Sequence, residues 1–248
     1  MGIVLCSHKP AAAAPPAETI VRTAKGTATG VGSLLTKTGV SIAAGSYLFV
    51  VLGYTANQDI EFDSAAISDG EIDTPLSAVA FDGTYLGEMG IAGGSSVFLL
   101  YAYFANALTG TLNVSFIENG QGAESAPSCM ILTQVAGLAS SAALDRKPAN
   151  SGNGTSPSSG ASAATSQAHE FVIGVVGTGG PAGDSAGTWT APLEAGQRIG
   201  VGTGAGGSAV TISEGFYVQT AAATRTAAKT GITSRYWVAG CATFKAAA

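Results

Sequence analysis

The chain has 248 residues, of which 46% are hydrophobic but only 11% charged, well under the roughly one quarter usual for a soluble domain. Its 11 basic residues against 16 acidic ones leave a net charge of −5, which excludes nucleic-acid binding through bulk positive charge. So much apolar content with so little charge also excludes an intrinsically disordered chain.

The start, MGIVLCSHKPAAAAPPAET, reads as an extended arm over residues 1–17, because its Pro/Ala run favours polyproline II. Ile3, Val4 and Leu5 form the apolar tip of that arm and are candidate contacts to a neighbouring subunit. The tip is shorter than the roughly 7–15 apolar residues of a signal peptide. No stretch approaches the roughly 18 of a membrane span. The expectation is synthesis in a host cytoplasm, with no export and no membrane.

From residue 18 the pattern is that of strands. ETIVRTA (18–24), SYLFVVLGY (46–54), DIEFDSAAI (59–67), SVFLLYAYF (96–104), TLNVSFI (111–117) and SCMILTQVAGL (128–138) come first. EFVIGVVG (170–177), AVTISEGFYVQ (209–219) and RYWVAGCATFK (235–245) follow. They are rich in β-branched and aromatic residues and bounded by Gly, Ser, Asn or Pro. AAATRTAAKT (221–230) suits an edge strand or β-loop better than a helix, given its three threonines. Residues 139–169 are small, polar and without periodicity, and read as one long loop. The expected fold is all-β: an antiparallel two-sheet sandwich, jelly-roll-like, formed by residues 18–248 as a single domain. No repeat at a fixed period stands out.

Charge is uneven along the chain. Between Lys37 and Arg146 there is no basic residue but a series of acids that begins with Asp59, Glu61 and Asp63. Both flanking segments are net basic, which suits a polar face that meets a neighbouring copy's counter-charge. Alternation in DIEFD places Asp59, Glu61 and Asp63 on one strand face, and such clustered carboxylates are the candidate calcium ligands. A solvated acidic face is the simpler reading, and otherwise no cofactor is expected.

Other motifs point away from catalysis. GVGTGAGG (200–207) holds a literal G-x-G-x-x-G at Gly202, Gly204 and Gly207, but a strand rather than a helix follows it, so a β-turn is expected. The only histidines are His8 and His169, and the latter reads as a surface pair with Glu170. Cys6, Cys129 and Cys241 are odd in number and far apart, which fits neither a disulfide framework nor a zinc site. Cys129 and Cys241 lie in apolar runs, as small buried hydrophobes do. Among Tyr85, Trp189, Tyr217, Tyr236 and Trp237, ring stacking on a sugar is best assigned to Trp189, the better exposed candidate, although packing under a loop is the simpler reading for it, whereas Trp237 reads as core. The expectation is a protein without enzymatic chemistry.

The succession SYLFVVLGY, DIEFDSAAISDGEIDTPLSAVAFDGT, SVFLLYAYFANALTGTLNVSFIENG, CMILTQVAGLASSAALD, EFVIGVVGT and RYWVAGCATFKAA carries a resemblance over roughly residues 40–245. It resembles β-sandwich domains of tailed-bacteriophage virion proteins and of some bacterial secreted or lectin-like proteins. That resemblance implies a structural protein of the virion, of the capsid decoration (cement) type. It would sit on the capsid surface and bind the major capsid protein and neighbouring copies of itself, as a homo-oligomer with a trimer favoured. The alternatives are a carbohydrate-binding or adhesin module of a phage tail or fibre and a surface filament subunit.

Overall fold

Strands such as SYLFVVLGY, apolar without alternation, require cover on both faces. The computed structural model, which describes residues 19–55, 60–82, 89–91, 94–118, 127–204 and 208–247, provides that cover by stacking sheets. No α-helix occurs among the described residues. The first half of the chain runs through β1 (Val21–Val31), β2 (Leu34–Ile42), β3 (Ser46–Thr55), β4 (Ile60–Ser68), β5 (Asp73–Pro75), β6 (Ser77–Ala78), β7 (Met89–Ile91), β8 (Ser95–Phe104), β9 (Leu108–Glu118) and β10 (Pro127–Ala136). The second half adds β11 (Leu144–Arg146), β12 (Ala149–Gly154), β13 (His169–Thr178), β14 (Ala186–Trp189), β15 (Glu194–Gly202), β16 (Ala209–Thr220), β17 (Lys229–Ile232) and β18 (Arg235–Lys245).

Each half folds as a sandwich. In the first, an inner sheet ordered β1-β10-β3-β8-β6, with β7 also on β8, faces an outer sheet ordered β2-β9-β4-β5. In the second, an inner sheet ordered β11-β18-β13-β16-β15, with β12 also on β18, faces the short β14-β17 ribbon. Every strand pairing in the sheets is antiparallel. The chain changes sheet at most connections of the first half, which is the jelly-roll-like winding expected from the sequence.

Side-chain alternation sorts the apolar residues into three cores. Leu48, Val50 and Leu52 of β3 pack with Leu35, Ile42, Leu112 and Val114 inside the first sandwich. Phe49 and Val51, on the opposite face, meet Phe171, Ile173, Ile212 and Phe244 where the two inner sheets stack. Val172, Val176, Trp237 and Cys241 pack with Trp189, Leu193, Ala227 and Ile232 inside the second sandwich. The few aromatics concentrate at the central junction, where the rings of Phe49 and Phe244 meet edge-on at 4.7 Å and Tyr47 Oη donates to the Ala139 carbonyl at 2.9 Å. All ten positions of β3 are buried as a result.

The two halves repeat one pairing scheme. The neighbours β1-β10-β3-β8 correspond to β12-β18-β13-β16, and the β4·β9 pair corresponds to β14·β17. The place of β2 beside β9 is taken by an extended run beside residues 223–229. There Ser159 N–H donates to Ala227 O at 2.8 Å, Lys229 N–H to Pro157 O at 3.0 Å, and Ser162 N–H to Arg225 O at 2.8 Å.

Residues 139–169, read from sequence as one long loop, therefore hold two strands and this extended run. Small residues are what the packing requires there. A Cβ on Gly152 would come within 2.6 Å of the Trp237 indole that lies across β12. The Gly-rich stretch 200–207 ends β15 and leads into β16, with Gly202 paired to Ala209, and so lies in a hairpin connection; residues 205–207 are outside the described residues. Residues 221–230 are extended, entering β17 at Lys229.

Candidate functional site

A concave site rich in functional groups lies between the β14-β17 ribbon and the β15-β16 pair at the edge of the second inner sheet. It is a cleft of about 250 Å³ whose walls include Trp189, Leu193, Arg198, Ser213 and Lys229. Trp189 and Lys229 are cross-strand partners in the ribbon, and Arg198 and Ser213 are partners between β15 and β16, so pairing register alone brings the four together. A register shift between Ala195 and Arg198 re-aims β15 at this point.

Trp189 is only 8% exposed, so it is a packed wall of the cleft and not the exposed stacking candidate that the sequence also offered. Its indole lies flat on the backbone at Gly215, where a Cβ would come within 2.7 Å of the ring. The Gly174–Gly215 pairing between β13 and β16 provides a side-chain-free floor for that large ring.

Lys229 is 4% exposed. Its Nζ donates to Ser213 Oγ at 3.4 Å and lies 5.1 Å from the Trp189 ring centroid. Neither neighbour is an anion. Burial pushes its pKa down to about 8, and the positive charge of Arg198 adds to the shift. Arg198 is held by carbonyls, donating to Ala182 O at 2.8 Å and Asp184 O at 3.0 Å. Asp184 in turn takes a two-pronged contact from Arg235, at 2.7 and 3.0 Å, which ties that loop to the start of β18. Glu214 borders the cleft, but its carboxylate turns toward the first half, accepting from Arg22, from Thr133 Oγ1 at 2.9 Å and from the Gln197 N–H at 3.3 Å.

A second titratable group sits in the inner sheet of the second half. Adjacent strand residues point to opposite faces, so His169 is exposed while Glu170 is fully buried; they are not the surface pair read from sequence. Burial raises the Glu170 pKa, and the charge of Asp145 on β11 adds to the rise. Cys129 and Cys241 are buried as expected, their thiols pushed up to about 12 by desolvation.

The other sequence candidates are placed as follows. Ile3, Val4, Leu5 and Asp59 lie outside the described residues, as does Tyr85. Glu61 falls within β4, and Asp63 is exposed at a bulge between Phe62 and Ser64, so the strict alternation behind a shared carboxylate face is broken there. Asp63 Oδ2 accepts from Ser64 Oγ at 3.1 Å. Asp69 caps a turn, accepting from the Glu71 and Ile72 amides, which lowers its pKa. Among the described residues no three His, Cys, Asp or Glu side chains are grouped to hold a metal.

On the outer face of β2-β9-β4, the cross-strand sets Thr36/Asn113/Ala66, Leu34/Ser115/Ser64, Ser41/Thr109 and Thr111/Ser68 are uncharged, while the register places Glu61 opposite Ile117 and Asp73 opposite Ser68 at its ends. Leu34 is 53% exposed and Ile117 46%, both at one end of that face. Along β12, Ser151 and Asn153 border a shallow hollow of about 500 Å³ with Tyr236, which is 48% exposed. Lys229 and Arg198 were not singled out by sequence, and Glu170 was read only as the surface partner of His169, because strand register decides which of them face inward. No protein-family model matches the chain, and neither the curated proteins nor the solved structures hold a significant match to it.

Proposed function

We propose that this protein is a structural component of a tailed-phage virion, a capsid decoration protein that binds the major capsid lattice and neighbouring copies of itself. The observation that carries the reading is the outer face of β2-β9-β4. The middle of this exposed face carries Thr, Ser, Asn, Ala and Leu at its paired positions, with acids at its ends, where Glu61 pairs with Ile117 and Asp73 with Ser68. Such a centre lacks the usual defence against association, and depletion of charge is the compositional mark of an interface centre. The stacked sandwiches behind it form a rigid support. Mass-resolved light scattering tests the self-association: a stable trimer is the expected result, and spontaneous fibres would favour a filament subunit instead.

A carbohydrate-binding or adhesin role is the second reading, and it is favoured by Tyr236 rather than by Trp189. Tyr236 presents an exposed ring beside the side chains of Ser151 and Asn153, the combination that sugar rings and hydroxyls engage. On a glycan array this reading predicts binding that Tyr236→Ala abolishes without unfolding the domain. A blank array for the unaltered protein would remove it.

A further inference from the structure

We propose that the cleft between the β14-β17 ribbon and the β15-β16 edge is a binding site for a compact organic carboxylate with an apolar body. This inference is independent of the virion reading. Three observations converge on it. The cleft, about 250 Å³, has room for a small ring or short branched chain bearing one carboxylate. Two cations, Lys229 and Arg198, line it from the ribbon and from β15, and their hydrogen-bond partners are a hydroxyl and backbone carbonyls. The nearby carboxylates, Asp184 beside Arg198 and Glu214 at the border of the cleft, are paired with Arg235 and Arg22. A buried ammonium without a counter-ion is costly, and a bound carboxylate would supply the missing charge. Trp189 and Leu193 give the remaining wall an apolar character that suits a hydrocarbon body.

The closeness of Ser213 Oγ to Lys229 Nζ invites comparison with a nucleophile and its base. The strand geometry argues for binding instead. Ser213 lies in mid-strand, paired with Val176 on one side and Arg198 on the other, so the amides around it are taken up by the ladders and not gathered as an oxyanion hole.

Calorimetric titration of the full chain with sodium benzoate tests the proposal, with sodium chloride at matched ionic strength and sodium glucuronate as comparisons. Benzoate is expected to bind saturably, chloride to give no saturable heat, and glucuronate to bind at least about tenfold more weakly. Lys229→Met keeps the length and apolar stem of the side chain without its charge, and is expected to fold and to lose benzoate binding. Arg198→Gln, at a half-buried position of β15, is a second variant expected to weaken binding about tenfold or more. No saturable heat with benzoate would overturn the proposal, as would unchanged affinity in both variants. A preference for glucuronate would overturn it in favour of a sugar site.

Discussion

Lys229 and Glu170 are charged residue types that the fold buries, and each leaves a signature in pH dependence. Because burial lowers the Lys229 pKa to about 8 from 10.5, the unfolded chain holds its proton more tightly than the native one in that interval. This group therefore adds stability as pH rises from about 8 toward 10.5. Lys229→Met is expected to raise the denaturant midpoint at pH 7.5, with its advantage over the unaltered protein shrinking by pH 10. Equal advantages at both pH values would show that Lys229 is not desolvated. Glu170 behaves as the mirror case. Its raised pKa means that the native state favours the protonated carboxyl, so stability is lost as pH climbs above the usual carboxylate range. Glu170→Gln is expected to be stabilising at pH 7 and close to neutral in effect at pH 3.5, read from thermal melts. A destabilising effect at pH 7 would contradict a protonation-limited site. Neither residue was distinguishable in the sequence, where Glu170 sits beside a histidine and Lys229 among Ala and Thr, since alternation reveals a face only once the register is known.

At the scale of elements, apolar runs were legible and small-residue strands were not. β3, β8, β10, β13, β16 and β18 each cover a run dense in Val, Ile, Leu and aromatics, and their bounds lie close to those read from composition. β12, with the sequence ANSGNG, has no such signal. It is a strand because β18 pairs with it and because Trp237 needs a partner without side chains, which is a tertiary cause. Gly152→Ala tests this. The added methyl meets the indole at 2.6 Å, and overpacking of this kind costs about 1–3 kcal/mol, measurable by urea unfolding. An effect near zero would mean that the ring has space to move. The same tertiary cause decides between the two readings of Trp189, because its ring covers Gly215.

On the scale of the whole molecule, the halves share a pairing scheme without a detectable sequence period, because a sheet constrains polarity and turn positions far more than residue identity. The sandwich class was therefore readable, while its duplication was not. The stack of inner sheets joins the halves through an apolar core, and the Glu214–Arg22 pair with Thr133 closes one edge of that junction. In the proposed role, this block would present the outer face of the first half, uncharged at its centre, as the docking plane. Thr36 and Ser64 stand on either side of β9, both exposed, so lysines there add charge to the face with little effect on folding. Co-sedimentation with undecorated tailed-phage heads decides the decoration role. The unaltered protein is expected to pellet saturably with the heads, and Thr36→Lys/Ser64→Lys, with an unchanged melting temperature, to stay in the supernatant. An unaltered protein that ignores the heads would contradict the decoration role, and a double variant that pellets normally would contradict the face assigned to it.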